Sequence, residues 1–286
     1  MKDFKYEHFN TIYDFNNAIK TRAVNSDFAG KESSRLKDDS GWFGTGTWDE
    51  AQELLEKGWN VKVEQMKSEL EKFSRDVDVQ RRKQIKSVAG YAPCVPNAIR
   101  GVPKSMLSSK PVQRKESRRT LRIVMNNTAI VNVGADELMK SGMTMLKLAL
   151  LLEKSGVKTR IDVVPKMSFS RDEKNVCYGC SVTIKDYRQP FNLSKMSYPL
   201  AHASFFRRHG FRYLETMDGD MRKWVKSYGV SLSCHDKSEQ KEYLDYVGFL
   251  KDGVVYIDFK DCQNADYNPE TLAEMKEIKI TQGVVR

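Results

Sequence analysis

Only five cysteines and four histidines occur in the 286 residues, and no apolar run approaches the ~18 residues that span a bilayer. So few cysteines make no disulfide framework, which points to a reducing compartment. The opening MKDFKYEHFN carries acids and aromatics where a secretory leader has its apolar core. The expected location is therefore a cytoplasm, with no membrane partner. Proline is also scarce, eight in all, yet Pro93, Pro96, Pro103 and Pro111 fall within one stretch. No Ser/His/Asp or Cys/His signature of nucleophilic catalysis stands out, and there is no internal repeat. Hydrophobic residues (40%) and aromatics (10%) are plentiful enough for a real core, which excludes global disorder.

Charge is present in excess and is localised. The net charge is +10, and residues 72–119 alone hold 13 Lys/Arg against Asp76, Asp78 and Glu116. The rest of the chain is thus close to neutral. A local positive field of this kind favours an anionic partner, most commonly nucleic acid, whereas a solvated helix face or an acidic protein surface explains the same residues differently.

Helical spacing in TIYDFNNAIKTRA predicts a first helix, and VNSDFAGKESSRLKDDSG reads as loop. In GWFGTGTWDEAQELLEKGWN, Thr47 and Glu50 form a capping-box pattern and Gly58 sits where a C-cap belongs. The GTGT within it lacks the preceding strand and the lysine of a phosphate loop, so a plain helix start is expected. Residues 61–86 continue as a long charged helix with Val63, Met66, Leu70, Phe73 and Val77 as its apolar stripe. Between 87 and 118 the four prolines forbid regular helix, and an extended arm along a surface is expected. Beyond it strands and helices alternate: LRIVMNNTAIVNV as strand or hairpin, ADELMKSGMTMLKLALLLEKSG as a helix ending at Gly156, VKTRIDVV and VCYGCSVTIKD as strands. SYPLAHASFFRRHG follows as one helix with Pro199 in its first turn. DGDMRKWVKSYG and KSEQKEYLDYV are helices around the strand VSLSC, GVVYIDF is a strand, and NPETLAEMKEIK is a helix capped by Asn268. The fold class is α/β, with a mainly parallel sheet flanked by helices. Three parts follow: a helical N-terminal region (1–86), a basic proline-rich arm (87–118) and an α/β domain (119–286).

The segments SGWFGTGTWDEAQELL, GYAPCVPNAIRGVPKSM and RQPFNLSKMSYPLAHASFFRRHGFRYLE resemble a family of uncharacterised bacteriophage and mobile-element proteins, from about Ser40 to Glu215 and more loosely beyond. The resemblance implies a phage or prophage origin and transfers no catalytic residue. The order strand, long helix, strand from Leu121 to Val164 is similar to a von Willebrand A-type domain. That fold's metal loop is Asp-x-Ser-x-Ser; MNNTAIV stands in its place here, so no such metal site is expected.

Cys177 and Cys180 form a C-x-x-C, with Cys234, His235 and Cys262 later, enough ligands in number for zinc. Period-two alternation puts the first two on opposite strand faces, which favours plain thiols. Asp245, Asp258 and Lys260 resemble the Asp…Asp-x-Lys arrangement of a large nuclease superfamily, in which two carboxylates hold Mg²⁺ and a lysine stabilises charge. An exposed ion-pair face is the alternative. His202, Phe205, Phe206 and His209 fall at i, i+3, i+4 and i+7, flanked by Arg207 and Arg208. They read as a packed helix end or as a binding surface.

The first functional expectation is a non-enzymatic phage accessory protein that binds nucleic acid or a nucleoprotein. Arg81, Arg82, Lys83, Lys86, Arg114, Lys115, Arg118 and Arg119 would contact phosphates, and no cofactor is involved. The second is a protein-binding or self-assembling factor, such as an inhibitor of a host defence enzyme, that uses the apolar residues of the arm. The third is a Mg²⁺-dependent nuclease built on Asp258 and Lys260.

Overall fold

The computed structural model describes residues 3–59, 64, 67–72, 82–111, 120–129, 132–170, 176–217, 223, 225–232 and 237–278. In chain order it holds β1 (Asp3–Phe9), α1 (Ile12–Thr21), α2 (Ser33–Leu36), α3 (Ser40–Phe43), α4 (Trp48–Lys57), β2 (Arg82–Ser87), β3 (Ala92–Pro93), α5 (Val95–Ile99), β4 (Met106–Pro111) and β5 (Thr120–Asn126). Then come α6 (Ala135–Lys154), β6 (Lys158–Ser170), β7 (Val176–Lys185), α7 (Leu193–Ala201), a π-helical turn (Phe205–His209), α8 (Gly210–Glu215), β8 (Val230–Ser231), α9 (Lys237–Tyr246), β9 (Val254–Asp258), α10 (Phe259–Asn264) and α11 (Pro269–Met275).

The main sheet runs β1-β7-β6-β5-β9, with β8 paired to the far end of β6. Contacts β1–β7, β5–β6 and β5–β9 are parallel, whereas β6–β7 and β6–β8 are antiparallel. The α/β fold with a mainly parallel sheet is thus present. Alternation along the strands divides the core. Ile123, Met125, Val176, Tyr178 and Cys180 face the layer built by α1, α4, α6 and α7, whereas Val124, Cys177 and Phe169 face Tyr243 and Leu244 of α9. Gly156, at φ +85°, stops α6 as a left-handed C-terminal residue. Asn268 caps α11 through the backbone N–H groups of Glu270 and Thr271.

Four expectations change. The N-terminal region is not a separate helical unit: β1 is the sheet's outer strand, and Phe15, Ile19, Phe28, Trp48 and Leu55 share one core with Ile123 and Val163. The loop 24–41 contains α2 and the start of α3. The charged helix does not reach residue 86, because Arg82–Ser87 is β2, antiparallel to β4. The expected arm is folded on itself, as β3, α5 and β4 of a three-stranded sheet. Residues 112–118 lie outside the described residues.

At the start of α4, Thr47 accepts from the N–H of Glu50, but the Glu50 carboxylate accepts from Gly46, one residue before the cap. Gly44, at φ +80°, ends α3, so GTGT is a helix-to-helix turn. The carbonyls of Thr45 and Gly46 face a cation, Arg208, the reverse of a phosphate loop.

Candidate functional site

The apolar run of β5 stops at Asn126-Asn127-Thr128, and the side chains explain the stop. Asn126 Oδ1 accepts from the Thr128 N–H and hydroxyl, at 3.1 and 2.6 Å, closing an Asx turn. Asn127 Nδ2 donates to the carbonyls of Leu138 on α6 and Leu200 on α7, both at 3.0 Å. β6 continues past this stop. It pairs with β5 as far as Val163, then with β8 at Ser168 and Phe169. The gap between the end of β5 and β8 opens into a cavity of about 680 Å³ at the carboxyl end of the parallel strands, where open α/β sheets bind ligands.

Lys166, from the part of β6 between those pairings, lines the cavity, and its Nζ lies 4.8 Å from the centre of the Phe211 ring. Trp42, Phe206 and Tyr228 add aromatic wall. Arg207, also on the wall, donates to the carbonyls of Trp42 and Val133, and its guanidinium lies 4.7 Å over the Trp42 ring. Burial pushes its pKa down to about 10, only partly offset by Asp39, so the group stays charged at neutral pH.

The expected binding surface of His202, Arg207, Arg208 and His209 is not a surface. All four are buried, and they do not share one helix: α7 ends at Ala201, His202 is extended, and a π-helical turn follows. Only Arg207 is among them in lining the cavity. Arg208 points elsewhere, into the 34–46 segment, with its guanidinium 4.3 Å from the Phe43 ring. The hydroxyl of Tyr198 meets His209 Nδ1 at 3.1 Å, and Trp48 lies against the ring.

His209 makes stability depend on pH. Burial first, then the charges of His202 and Arg208, push its pKa from 6.5 down to about 3. The unfolded chain takes up this proton as pH falls through 6.5 and the folded chain does not, so stability is complete above that pH and declines towards 3. Urea titrations at pH 7 and pH 5 should differ by roughly 2 kcal/mol more in the native protein than in His209→Gln. Equal pH slopes in the two proteins would refute this.

The basic segment is partly visible. Arg82 and Lys83 lie on β2, opposite Pro111 and Lys110 of β4. Lys86 is exposed, with its Nζ 3.3 Å from Asn97 Oδ1. Arg81, Arg114, Lys115, Arg118 and Arg119 lie outside the described residues. Residues 82–111 contain six Lys/Arg and no Asp or Glu, and Arg100 and Lys104, which the sequence reading did not name, are exposed on the same segment as Lys86. The same small sheet leaves Tyr91 and Ile99 67% and 81% exposed.

The nuclease arrangement does not assemble as expected. β9 ends at Asp258, so Lys260 lies on α10 and the two do not share a strand face. Asp258 is the N-cap of α10, accepting from the Asp261 N–H at 2.9 Å, and Asp261 returns the bond to the Asp258 N–H. Burial and the Asp261 charge raise the Asp258 pKa. Asp245 is exposed on α9. Cys177 and Cys180 face opposite core layers, as the alternation requires, and cannot grip one ion. Cys262 is buried against α6, near the Ser141 carbonyl, whereas Cys234 and His235 lie outside the described residues. Among the described residues no three His, Cys, Asp or Glu side chains converge as a metal site, and no helix is long and apolar enough to cross a membrane.

A family model described as a domain of unknown function, DUF7192, matches residues 4–283, nearly the whole chain. The chain belongs to the DUF7192 family. The match takes in both β1 and α11, so the DUF7192 domain includes the N-terminal strand, the small basic sheet and the cavity together. No curated protein and no solved structure matches the chain.

Sequence reading did not find Lys166, Phe211, Tyr228 or Asn127. One signal was present: a lysine inside the apolar strand run VVPKMSF, where a charge must be buried or reach a site. The other was MNNT at the carboxyl end of a core strand.

Proposed function

We propose that this protein is a phage or prophage accessory factor of the bacterial cytoplasm that binds nucleic acid or a nucleoprotein through its small basic sheet, without catalysis. The supporting observation is the charge of 82–111: six cations with no carboxylate in the segment, and Lys86, Arg100 and Lys104 exposed on it. Cations without acidic neighbours keep their field for phosphates, which gives sequence-independent affinity that weakens with salt. Arg114, Lys115, Arg118 and Arg119, next in the chain, extend the positive run. The von Willebrand A-type likeness is part of the same reading, supported by the β5–α6–β6 order and the antiparallel β7.

Fluorescence anisotropy with a labelled oligonucleotide tests this. Affinity should fall about a thousandfold between roughly 50 and 200 mM salt, as for some six phosphate contacts. Lys86→Glu combined with Arg100→Glu and Lys104→Glu should weaken binding at every sequence alike. Binding indifferent to salt, or none, refutes the reading. A second reading, self-association or protein binding, is favoured by the exposed Val88, Tyr91, Val95 and Ile99 on the same segment. A stable oligomer in light scattering, with no oligonucleotide affinity, would put it first.

A further inference from the structure

The small sheet β2-β4-β3 has no interior of its own. Every residue from 84 to 109 keeps surface in water, and none is buried. Lys86, Arg100 and Lys104 form no ion pair among the described residues. Lys86 Nζ makes one hydrogen bond, to Asn97 Oδ1, and an ammonium carries three donors. Apolar side chains stand in the same water: Val88 is 71% exposed and Ile99 81%. Uncovered apolar groups beside unpaired cations mark a surface made for a partner.

The register sorts these groups by face. Lys86 and Ala92 both lie opposite Leu107, and Gln84 lies opposite Ser109, so these five side chains share one face of the sheet. Tyr91 belongs to the same face. Its N–H donates to the Leu107 carbonyl at 2.9 Å, and its hydroxyl accepts from Gln84 Nε2 at 2.9 Å, so the residue is fixed at both ends. The ring is nonetheless 67% exposed, and among the described residues no other ring and no cation lies against it. A held, open aromatic ring beside free cations pays little conformational entropy when something flat stacks on it.

Charge decides among occupants. Residues 82–111 hold six cations and no carboxylate, so a second copy laid on this face would set cation against cation. The form of the anionic partner follows from the apolar groups. A duplex turns its phosphates outward and keeps its base faces stacked inside, which would leave Tyr91 and Ile99 in water. An unpaired strand offers phosphates and base faces together. We infer that the partner of the small sheet is an unpaired nucleic-acid strand, one base of which stacks on Tyr91 while Lys86, Arg100 and Lys104 meet its phosphates. This rests on the nucleic-acid reading above and names the form of nucleic acid that the sheet takes.

Fluorescence anisotropy with a labelled oligonucleotide of about twelve nucleotides, free and annealed to its complement, tests it at one salt concentration. The strand is used as DNA and as RNA, and the tighter of the two identifies the sugar. The free strand should bind about tenfold or more tightly than its own duplex. Tyr91→Ala should weaken the free strand by about tenfold while leaving duplex affinity and the salt slope unchanged, because no phosphate contact is lost. Tyr91→Phe keeps the ring and gives up the Gln84 bond, and it should bind the free strand as the native protein does. Tyr91 has no buried contact to lose, so both variants should melt with the native protein. Equal affinity for strand and duplex, native strand affinity in Tyr91→Ala, or a loss in Tyr91→Phe equal to that in Tyr91→Ala would overturn the inference and leave nucleic-acid binding standing. No affinity for either form would remove both.

Discussion

Replacing Arg208 by methionine should lower the unfolding free energy by about 3–5 kcal/mol, a large share of the stability a domain possesses. The side chain is fully buried and its donors are all committed to one stretch of chain. Nε donates to Thr45 Oγ1 at 2.9 Å, and the terminal nitrogens donate to the carbonyls of Ser34, Lys37, Thr45 and Gly46 at 2.8–3.3 Å. Segment 34–46 is also held by Glu215, which accepts from the Ser34 N–H and hydroxyl, and by Arg207 at the Trp42 carbonyl, but the Arg208 guanidinium bonds it at four residues. Methionine fills similar space but leaves those carbonyls without donors inside the protein, which is costlier than losing the bonds alone. Lysine should recover only part of the loss, because three donors on a point cannot replace a planar fork of five. Urea unfolding followed by tryptophan emission measures the effect. Limited proteolysis should show new cleavage between residues 34 and 46. An unchanged urea midpoint would show that the carbonyls find water instead.

The second large effect is expected at Gly142, in the middle of α6. A Cβ added there would lie 2.5 Å from the Cα, the Cβ and the preceding carbonyl oxygen at Ala201 and Leu200 of α7. Glycine-to-alanine in a helix ordinarily gains about 1 kcal/mol from propensity. Here the sign reverses, because two of the neighbouring atoms are backbone and the third is the Cβ of Ala201, which has no rotamer to swing away. Gly142→Ala should destabilise, and Gly142→Val should cost about 3 kcal/mol or more as α7 is pushed off α6. Gly134, the N-cap of the same helix, has nothing within 4 Å of the equivalent position. Gly134→Asp should therefore leave stability within about half a kcal/mol of the native value or raise it. The pair is read by the same urea titrations, and equal effects at both glycines would refute the packing account. Because Leu200 also holds Asn127, Gly142→Val should disturb the cavity along with the core.

Elements whose signal is local were legible. α1, α6, α9 and α11 follow from 3.6-residue periodicity with their caps, and β6, β7 and β9 from alternation. The opposite facing of Cys177 and Cys180 follows from the same period of two. Elements whose identity depends on a distant partner were not. RKQIKS reads as the end of a charged helix, and it is β2 because β4 supplies a matching edge more than twenty residues later. DFKYEHF becomes β1 because β7 offers it an open edge. SYPLAHASFFRRHG keeps helical spacing throughout, yet the chain breaks at His202 and resumes in a π-helical turn, which sends Arg207 to the cavity and Arg208 to the 34–46 segment.

Composition and periodicity by themselves determined that this chain builds an α/β core, sets Cys177 and Cys180 on opposite strand faces, and concentrates its positive charge in one segment. Those properties depend on residue type and near neighbours. Tertiary structure alone decided that Asp258 caps a helix, that the histidine–arginine cluster is interior, and that residues within 33–43, 127–129, 206–211 and 228–231, together with Lys166, line one cavity. Those stretches span some two hundred residues. What brings them together is the order in which strands pair, and that order is set by burial of the whole core rather than by any stretch of sequence.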